Sequence, residues 1–460
     1  PEPPARRAGG GLERTAAALE RRLPKPLTAP RRLPAWAIAP FVALLTYLQM
    51  VRRPSDPALW DSLWTEDGTV FLTQALSQPF LDTLATSYYG YLHTVPRLIT
   101  NVATWFPVED MPLVMSLLTT FVIALLSVYV FEASGAWIAS PILRALLALA
   151  VAFAPVTARE IAGTVGNLHW YLVYASFWAV ICPWRTRGWL LASTAVVLAS
   201  VLSDPLTAVA LPIGVVLAVA ARDRRAWALP GAIVAGLVIQ LGLRDEGTTF
   251  FGGRDWGAIP RVFAERVTSS VVAGDRYLYD LFGGRTGSPF AWATLVAIGL
   301  AVGAGIWRLR GRRRWLVALA TTMSLAYFLI PVFSRGTAQL FVSHPWLLAS
   351  TRYIYLPVLF LLTALALAAD RGTRERRLPT IREAAFTVLV GATLVTGYAA
   401  PHRSEGTPPW RPVVAQARAA CAQKRNFGLV TLYRNRGLIA VLPIVPIEHW
   451  RVVVGCDRLK

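Results

Sequence analysis

The sequence lacks the motifs of metal and nucleotide chemistry. Its three cysteines form no Cys-x-x-Cys pair, and its five histidines include no His-Glu-x-x-His or comparable metal spacing. It has no glycine-rich phosphate loop of the Walker or Rossmann kind. These absences argue against a structural zinc site and against cytosolic nucleotide chemistry. They leave open whether the protein depends on a divalent metal.

Charged residues are also scarce. They make up 16% of the 460 residues, against about a quarter in ordinary soluble domains, while 55% of the residues are hydrophobic and the mean hydropathy is +0.47. Several charge-free runs, such as 111–131 and 315–334, reach the ~20 residues that cross a bilayer as a helix. The composition therefore predicts an all-α polytopic membrane protein of the inner or plasma membrane.

The formal net charge of +20 comes from arginine, because lysine is nearly absent. The arginines gather in short clusters between hydrophobic runs, which is typical of membrane topology and not of nucleic-acid binding. We therefore expect no nucleic-acid partner. With the N-terminus in the cytoplasm, the clusters at 185–187, 222–225, 308–314 and 371–382 all fall on the cytoplasmic side.

Composition divides the chain into three regions. Residues 1–33 are predicted to be a disordered, basic cytoplasmic tail, and residues 34–400 a transmembrane domain. A cleavable signal peptide is the alternative for the first span, but this segment ends without a small-x-small cleavage site. About eleven spans are predicted, near 34–51, 111–131, 141–156, 167–183, 188–203, 205–221, 226–243, 289–307, 315–333, 352–369 and 384–400.

Residues 401–460 return to a soluble composition and are predicted to form a small mixed α/β extracytoplasmic cap. A helix is expected at 412–418, and strands at 429–432, 438–443 and 450–454. Cys421 and Cys456 are the only cysteines predicted on this face, so we expect a disulfide between them, as an oxidising compartment permits.

The first external loop carries the most informative stretch, Trp64-Thr-Glu-Asp-Gly68, with two adjacent carboxylates just after span one. A short helix is predicted from Asp67 to Ser77 and a second from Leu92 to Phe106, both lying at the membrane interface. A solvated loop would also explain two acidic residues here. The alternative is the reactive end of a membrane enzyme.

An enzyme with its polar residues outside the cell has no access to cytosolic ATP or nucleotide sugars. A group transfer there requires a lipid-borne donor, which points to a polyprenyl phosphate whose tail lies between spans. Its phosphate would meet fixed cations such as Arg97 or Arg352, since a guanidinium binds phosphate oxygens with two hydrogen bonds.

Three local patterns support this interpretation. Asp67, Phe71 and Ala75 give a carboxylate, an aromatic residue four positions later and a small residue four beyond that. The stretch 90–97 ends in Val-Pro-Arg, and the stretch 351–357 places Arg-Tyr ahead of a proline. In this order they resemble the GT-C superfamily of integral-membrane glycosyltransferases, which use polyprenyl-phosphate sugars on the outer or lumenal face.

The resemblance implies inverting transfer of a sugar to a hydroxyl of a cell-envelope glycan or glycolipid. Asp67 would be the general base, with Glu66 as its neighbour or substitute. The donor phosphate would be bound by Arg352, Arg97, His93 and Tyr353. Polar and aromatic groups suited to a sugar are expected from Asn167, His169, Trp170 and Asp204. The sugar would be a hexose or a pentose.

Ordinary structural roles compete with each of these assignments. Arg352 could reach from a helix end to lipid headgroups, Trp170 could belong to an interfacial aromatic belt, and Asp204 could form a simple Asp-Pro turn. Two other classes of protein also remain. One is a lipid-linked sugar transporter or flippase, although the halves of the chain show no convincing repeat. The other is an O-antigen-ligase-type transferase, which would depend on external Arg and His residues.

Overall fold

The structure, a computed structural model, describes residues 11–23, 26–27, 32–51, 57–157, 160–182, 186–221, 223–244, 253, 255–274, 288–309, 313–336, 351–370, 379–399, 407–423, 430–433, 437–444 and 450–459. Residues 1–10 of the predicted tail, Arg185, the arginines of 371–378 and the predicted strand start at Leu429 lie outside the described residues.

Each of the eleven segments predicted as spans contains a helix. Charge-free apolar runs favour helices because, in lipid, only a helix or a closed barrel satisfies all its backbone groups internally. The helices are α2 (Ala35–Met50), α6 (Met111–Ser134), α7 (Pro141–Phe153), α8 (Leu168–Ile181), α9 (Arg187–Ser203), α10 (Leu211–Ala221, after a 3₁₀ turn at Pro205–Ala210), α11 (Ala228–Gly242), α14 (Pro289–Arg308), α15 (Arg313–Arg335), α16 (Arg352–Ala369) and α17 (Ile381–Tyr398).

Five helical segments of the described chain are long and apolar enough to cross a membrane, judged by length and composition. Five shorter apolar helices of 10–17 residues accompany them. The chain is therefore a mostly helical, membrane-embedded protein, while the count of eleven spans stays a prediction. The long segments are Val108–Ser134, Arg224–Gly242, Pro289–Arg308, Arg313–Ser334 and Arg352–Ala369.

Helices α8 and α16 lie at the centre of the bundle. Every residue of α8 is buried, and so is almost every residue of α16. The Tyr174 hydroxyl on α8 lies 2.8 Å from the Thr363 hydroxyl on α16, and the Tyr355 hydroxyl donates to the Val151 carbonyl at 2.7 Å. These buried hydrogen bonds fix the two central helices, whose N-terminal ends carry His169 and Arg352.

The N-terminal tail differs from the prediction of disorder, because residues Gly11–Arg22 form helix α1, which contacts α10. The sequence contains Leu12, Ala16, Leu19 and Leu23 at helical spacing, and Ala16 is buried. An apolar stripe of this kind stabilises a helix that packs on a neighbouring helix. A prediction from average composition does not detect such a stripe. This part of the tail is therefore helical in the structure, and the disorder of the tail as a whole stays a prediction.

The first loop contains the two predicted helices. The first consists of a π-helical turn at Asp67–Leu72 followed by α3 (Thr73–Ser77), and α4 (Phe80–Ala85) comes after it. The second is α5 (Thr94–Ala103). Their placement at a membrane surface stays a prediction. In the second loop, α12 (Ile259–Val262), a π-helical turn at Phe263–Thr268 and α13 (Ser269–Ala273) form one further helical segment.

The C-terminal cap consists of α18 (Trp410–Ala422) and an antiparallel sheet in the order β1-β2-β3. Its strands are β1 (Val430–Tyr433), β2 (Gly437–Pro443) and β3 (Arg451–Gly455). Cys421 and Cys456 form a disulfide with Cα atoms 5.6 Å apart. A small helix and sheet are therefore present as the sequence predicts.

The cap is seated on the first loop. Backbone amides of Arg451 and Val453 donate to the hydroxyls of Thr69 and Thr73, at 2.9 and 3.2 Å. A Cβ atom at Gly68 would lie 2.7 Å from Ile444 Cδ1, so the sheet approaches this turn closely. Strand β3 therefore supports the helical turn that follows the carboxylate pair.

Candidate active site

A cavity of about 420 Å³ opens where the N-terminal ends of α8 and α16 meet the first loop and the turn between α9 and α10. It contains acidic, basic, aromatic and apolar side chains together. Its lining consists of Glu66, Phe71, Tyr88, Tyr89, Tyr91, His93, Gly166, Asn167, His169, Trp170, Asp204, Pro205, Leu206, Arg244, Ile330, Pro331, Ser334, Arg352 and Tyr353. The cavity thus brings together residues that lie far apart in the sequence.

Glu66, Arg352 and Glu160 form a chain of charges at the cavity wall. Arg352 Nη1 lies 3.1 Å from Glu66 Oε1, and Arg352 Nε lies 3.0 Å from Glu160 Oε1. The Arg352 backbone amide also donates to Glu160 Oε2 at 3.2 Å. One guanidinium is thereby held between two carboxylates, which fixes the direction in which Glu66 presents its oxygens.

The two carboxylates of this chain differ in acidity. Burial raises the pKa of Glu66, but the positive charge of Arg352 and a hydrogen bond from the Thr65 hydroxyl outweigh burial and hold the pKa below its usual value. Burial raises the pKa of Glu160 to about 7, although Arg352 opposes the shift. Glu66 is therefore ionised at neutral pH, whereas Glu160 titrates near it.

Asp67 has a different environment from Glu66. It is buried, with an exposed fraction of 3%. Its Oδ1 accepts the Gly166 amide at 2.8 Å and its Oδ2 accepts the Val165 amide at 3.2 Å. Within the described chain it is not among the residues lining the cavity. A Cβ atom at Gly166 would lie 3.1 Å from Asp67 Oδ1, so this contact needs glycine. Asp67 anchors the loop that precedes α8.

His93 belongs to an aromatic cluster on one cavity wall. Its ring stacks on Tyr91 at 4.0 Å between centroids and lies 5.2 Å from Phe71 and 5.3 Å from His169. Burial holds the pKa of His93 well below its usual value. At neutral pH the ring is therefore neutral and can offer a hydrogen bond but no positive charge.

The segment that carries His93 has an unusual backbone. Tyr89 and His93 have φ values of 52° and 56°, and Gly90 has a φ of 86°. Side chains in the left-handed region cost free energy and cluster at functional sites, so the contacts of this turn must hold it in place. A Cβ atom at Gly90 would lie 3.4 Å from Arg244 Nε, which brings a cation against the turn.

His169 and Asp204 form a buried pair next to this aromatic cluster. His169 Nδ1 lies 2.6 Å from Asp204 Oδ2, and Asp204 Oδ1 accepts the Leu206 amide at 2.8 Å. Asp204 is therefore held by the turn after α9, and it orients the imidazole of His169. Since Nδ1 is used in this contact, Nε2 is the nitrogen left for a ligand.

The other predicted sugar contacts also reach the cavity. Trp170 and Tyr353 meet edge to face with ring centroids 6.1 Å apart. The Asn167 side chain donates to Thr164 Oγ1 at 2.9 Å and to the Glu160 carbonyl at 3.2 Å. Asn167 therefore both lines the cavity and holds the loop that carries Glu160.

Arg97 was predicted to bind phosphate, but the structure uses it for internal contacts. It donates to the Leu92 carbonyl at 2.8 Å and to Gln74 Oε1 at 2.7 Å, and it lies over the Phe71 ring. It is 1% exposed, and burial lowers its pKa to about 10. Among the described residues it does not line the cavity.

Sequence reasoning missed Glu160 and Arg244. Glu160 precedes the charge-free run assigned to a span, and nothing local distinguishes it from a solvated loop residue. Arg244 follows the end of α11, where an arginine would ordinarily meet lipid headgroups. The cavity tyrosines Tyr88, Tyr89 and Tyr91 were missed as well. For these a local signal exists in the run Tyr88-Tyr-Gly-Tyr91 ahead of His93, because neighbouring aromatic residues on a glycine turn suit a sugar.

A metal site is not evident in the described part of the chain. It contains no group of three or more His, Cys, Asp or Glu side chains that could hold a metal ion. The carboxylates nearest the cavity are instead held by Arg352, by backbone amides or by His169.

No family model and no curated protein matches the chain. Its fold is similar to the cryo-EM structure of the arabinofuranosyltransferase AftD from Mycobacteria, with 15% identity over 86% of this chain and 30% of AftD, and a TM-score of 0.41. It is also similar to ArnT from Cupriavidus metallidurans, with 14% identity over 85% of this chain and 91% of ArnT, and a TM-score of 0.30.

The chain spans about 30% of the length of AftD. At these TM-scores the similarity assigns no function to this chain.

Proposed function

We propose that the protein is an inverting glycosyltransferase that moves a sugar from a polyprenyl-phosphate donor to a hydroxyl of a cell-envelope glycan or glycolipid. The observation that carries this proposal is the ionised Glu66 carboxylate, held by Arg352 at the wall of a cavity that also contains aromatic and cationic groups.

Glu66 suits the role of general base better than Asp67 does. Its side chain lines the cavity and is 16% exposed, whereas both oxygens of Asp67 accept backbone amides. An ionised carboxylate can take the proton of the acceptor hydroxyl as that oxygen attacks the anomeric carbon. The new C–O bond forms while the bond to the phosphate oxygen breaks, and polyprenyl phosphate leaves with both electrons of that bond.

The leaving phosphate needs positive charge where its own negative charge grows. Arg352 and Arg244 both line the cavity. Arg352 is shared between two carboxylates, so its main effect is to orient Glu66. Arg244 forms no ion pair with a described residue, and we assign it as the principal phosphate contact. His93 and Tyr353 would add hydrogen bonds to the same group.

The remaining lining fits a sugar attached to an isoprenoid. Tyr91, Trp170 and Tyr353 offer aromatic faces to sugar C–H groups, and Asn167 and His169 offer polar atoms to hydroxyls. Leu206, Ile330 and Pro331 supply an apolar edge beside α15, where the first isoprene units of the donor would lie.

The direction of the helices supports an outward-facing cavity. Helices α11 and α15 begin next to arginine clusters, at Arg224 and Arg313, and their other ends reach the cavity through Arg244 and Ile330. Arginine clusters mark the cytoplasmic side. The cavity, the interfacial helices and the cap with its disulfide would then be extracytoplasmic.

The test is transfer by the purified full chain in detergent or vesicles, with a panel of radiolabelled polyprenyl-phosphate hexoses and pentoses and an extract of cell-envelope glycans. Transfer from at least one donor, lost in Glu66→Gln and retained in Asp67→Asn, is the expected result. No transfer from any monophosphate donor would overturn the proposal.

One observation favours a second candidate. The His169–Asp204 pair is oriented as in enzymes that use histidine as a base, and it lies in a cavity with two arginines. A ligase-type transferase with a pyrophosphate-linked donor would use it. That function predicts transfer only from pyrophosphate-linked sugars, with loss of activity in His169→Asn and little change in Glu66→Gln.

A further inference from the structure

A second cavity, of about 870 Å³, lies at the opposite end of the bundle. Two helices reach both cavities from opposite ends: α8 contributes His169 to the first and Ile181 to the second, and α15 contributes Ile330 and Leu316. At ~1.5 Å per residue, the 14 positions between Leu316 and Ile330 separate the cavities by about 21 Å. The second cavity is therefore a separate site.

The walls of this cavity are apolar apart from two cations and one threonine. The apolar groups come from α10, α15 and the ends of neighbouring helices, including Trp137, Ile213, Leu217 and Trp315. The cations are Arg21, from helix α1 of the tail, and Arg314, from the start of α15. No described carboxylate lines the cavity.

Neither cation forms an ion pair with another described residue. The neighbouring Arg313 provides the contrast, because it pairs with Asp370 and donates to the Trp137 carbonyl at 3.1 Å. Arg314 lies over the Trp315 ring at 5.4 Å, and both Arg21 and Arg314 are exposed. Two like charges beside one apolar groove repel each other unless an anion lies between them.

We propose that this cavity binds an anionic phospholipid. The phosphate would lie between Arg21 and Arg314, and an acyl chain would follow the apolar groove between α10 and α15. Helix α1, which contacts α10, would close the headgroup end. Basic pockets between membrane helices bind acidic lipid headgroups by this combination of charge and apolar contact.

The experiment measures lipid binding to the delipidated full chain by native mass spectrometry. The probes are dioleoyl phosphatidylglycerol, dioleoyl phosphatidylethanolamine and soluble glycerol phosphate. The wild-type chain should retain phosphatidylglycerol, retain the zwitterionic lipid less, and not retain glycerol phosphate. The double variant Arg21→Ala/Arg314→Ala should bind phosphatidylglycerol roughly 10- to 30-fold more weakly, since each basic residue near an acidic headgroup is worth about 1 kcal/mol.

Arg308→Ala is the matched control, because Arg308 is an exposed arginine at the end of α14 on the same side of the bundle and does not line the cavity. It should bind as the wild type does. Val216→Trp fills the cavity without changing charge and should also weaken binding. Equal losses in Arg308→Ala and in the double variant would overturn the proposal, and so would unchanged binding in Val216→Trp.

The isoprenoid carrier is the other anionic amphiphile that this groove could take. Decaprenyl phosphate is therefore added as a competitor. Retention of phosphatidylglycerol against an equal amount of carrier supports the phospholipid assignment, whereas displacement by the carrier with the same dependence on Arg21 and Arg314 overturns it. None of these readouts requires glycosyl transfer, so the result is independent of the function proposed for the first cavity.

Discussion

Two faces of the loop between α2 and α6 carry neighbouring carboxylates with opposite surroundings. Glu66 turns to the cavity and to Arg352, where a charged partner leaves its oxygens within reach of a ligand. Asp67 turns to the loop before α8, where two backbone amides occupy both of its oxygens. The cap supports this second face through Thr69 and Thr73. One residue along the chain thus separates the carboxylate that we propose as the base from one that holds the loop in place.

The difference shows how one carboxylate can hold a loop while its neighbour faces a cavity. Asp67 fixes the loop that carries Asn167 and leads into α8, and it also begins the turn that follows Glu66. Glu66 in turn is held in one orientation by Arg352 and the Thr65 hydroxyl.

Glu66→Gln should lower turnover by roughly 10² to 10⁴, because the amide cannot accept the acceptor proton. The measurement is single-turnover transfer from the donor identified in the panel. Asp67→Asn is the matched control, and its folded fraction should retain activity within about tenfold. The opposite ranking, with Asp67→Asn inactive and Glu66→Gln active, would return the base to Asp67 as the sequence pattern first indicated.

Arg244→Ala should lower kcat/KM roughly 10- to 100-fold, because a hydrogen bond to a charged phosphate contributes about 1.5–3 kcal/mol. Arg225→Ala is the control, since Arg225 lies near the start of α11 at the end away from the cavity and is exposed. Equal kinetics for the two variants would remove Arg244 from the phosphate site.

Asp67→Asn should reduce stability by about 1–3 kcal/mol, since the asparagine NH₂ cannot accept either amide and one buried donor loses its partner. Thermal unfolding of the purified chain measures this loss. Asp110→Asn is the control on the cap side, where the ion pair to Arg411 at 2.8 Å is largely exposed and should contribute less than about 1 kcal/mol. Similar unfolding temperatures in both variants would show that Asp67 does not anchor the loop.

The sequence predicted much of the fold, because helices and the cap follow from local patterns. Charge-free runs placed the eleven helical segments, and short apolar runs placed the strands. The side chains of Asp67, Phe71 and Ala75, which the sequence pattern singled out, are all buried. The spacing therefore predicts which residues are buried. It does not distinguish a structural carboxylate from a catalytic one, because both are buried.

The identity of the cavity carboxylate could not be predicted in the same way. The turn at Asp67–Leu72 is π-helical, so directions inferred from α-helical spacing do not apply there. Glu160 meets Arg352 across 192 residues of chain, and Arg244 reaches the cavity from the end of another helix. Contacts of this kind depend on how the helices pack together, and no local pattern encodes them.

The smallest expected effect is on the pH dependence of stability, through the titration of Glu160 beside Arg352. The pKa of Glu160 is raised to about 7, so between about pH 4.5 and 7 the unfolded chain loses a proton that the folded chain keeps. The stability that Glu160 contributes is therefore present at low pH and is lost as the pH rises through 7. Glu160→Gln removes this titration.

The unfolding temperature of Glu160→Gln, measured against that of the wild type, should rise by a few degrees between pH 5 and pH 8. Glu109→Gln is the control of opposite sign. A hydrogen bond to its own backbone, together with Arg418 of the cap, lowers the pKa of Glu109, so its contribution is present at neutral pH and is lost on acidification. If the unfolding temperatures of Glu160→Gln and the wild type change in parallel with pH, Glu160 stays ionised in the folded chain over the whole range. Arg352 would then be neutralised by two carboxylates at every pH tested, and the charge left for the donor phosphate would have to come from Arg244.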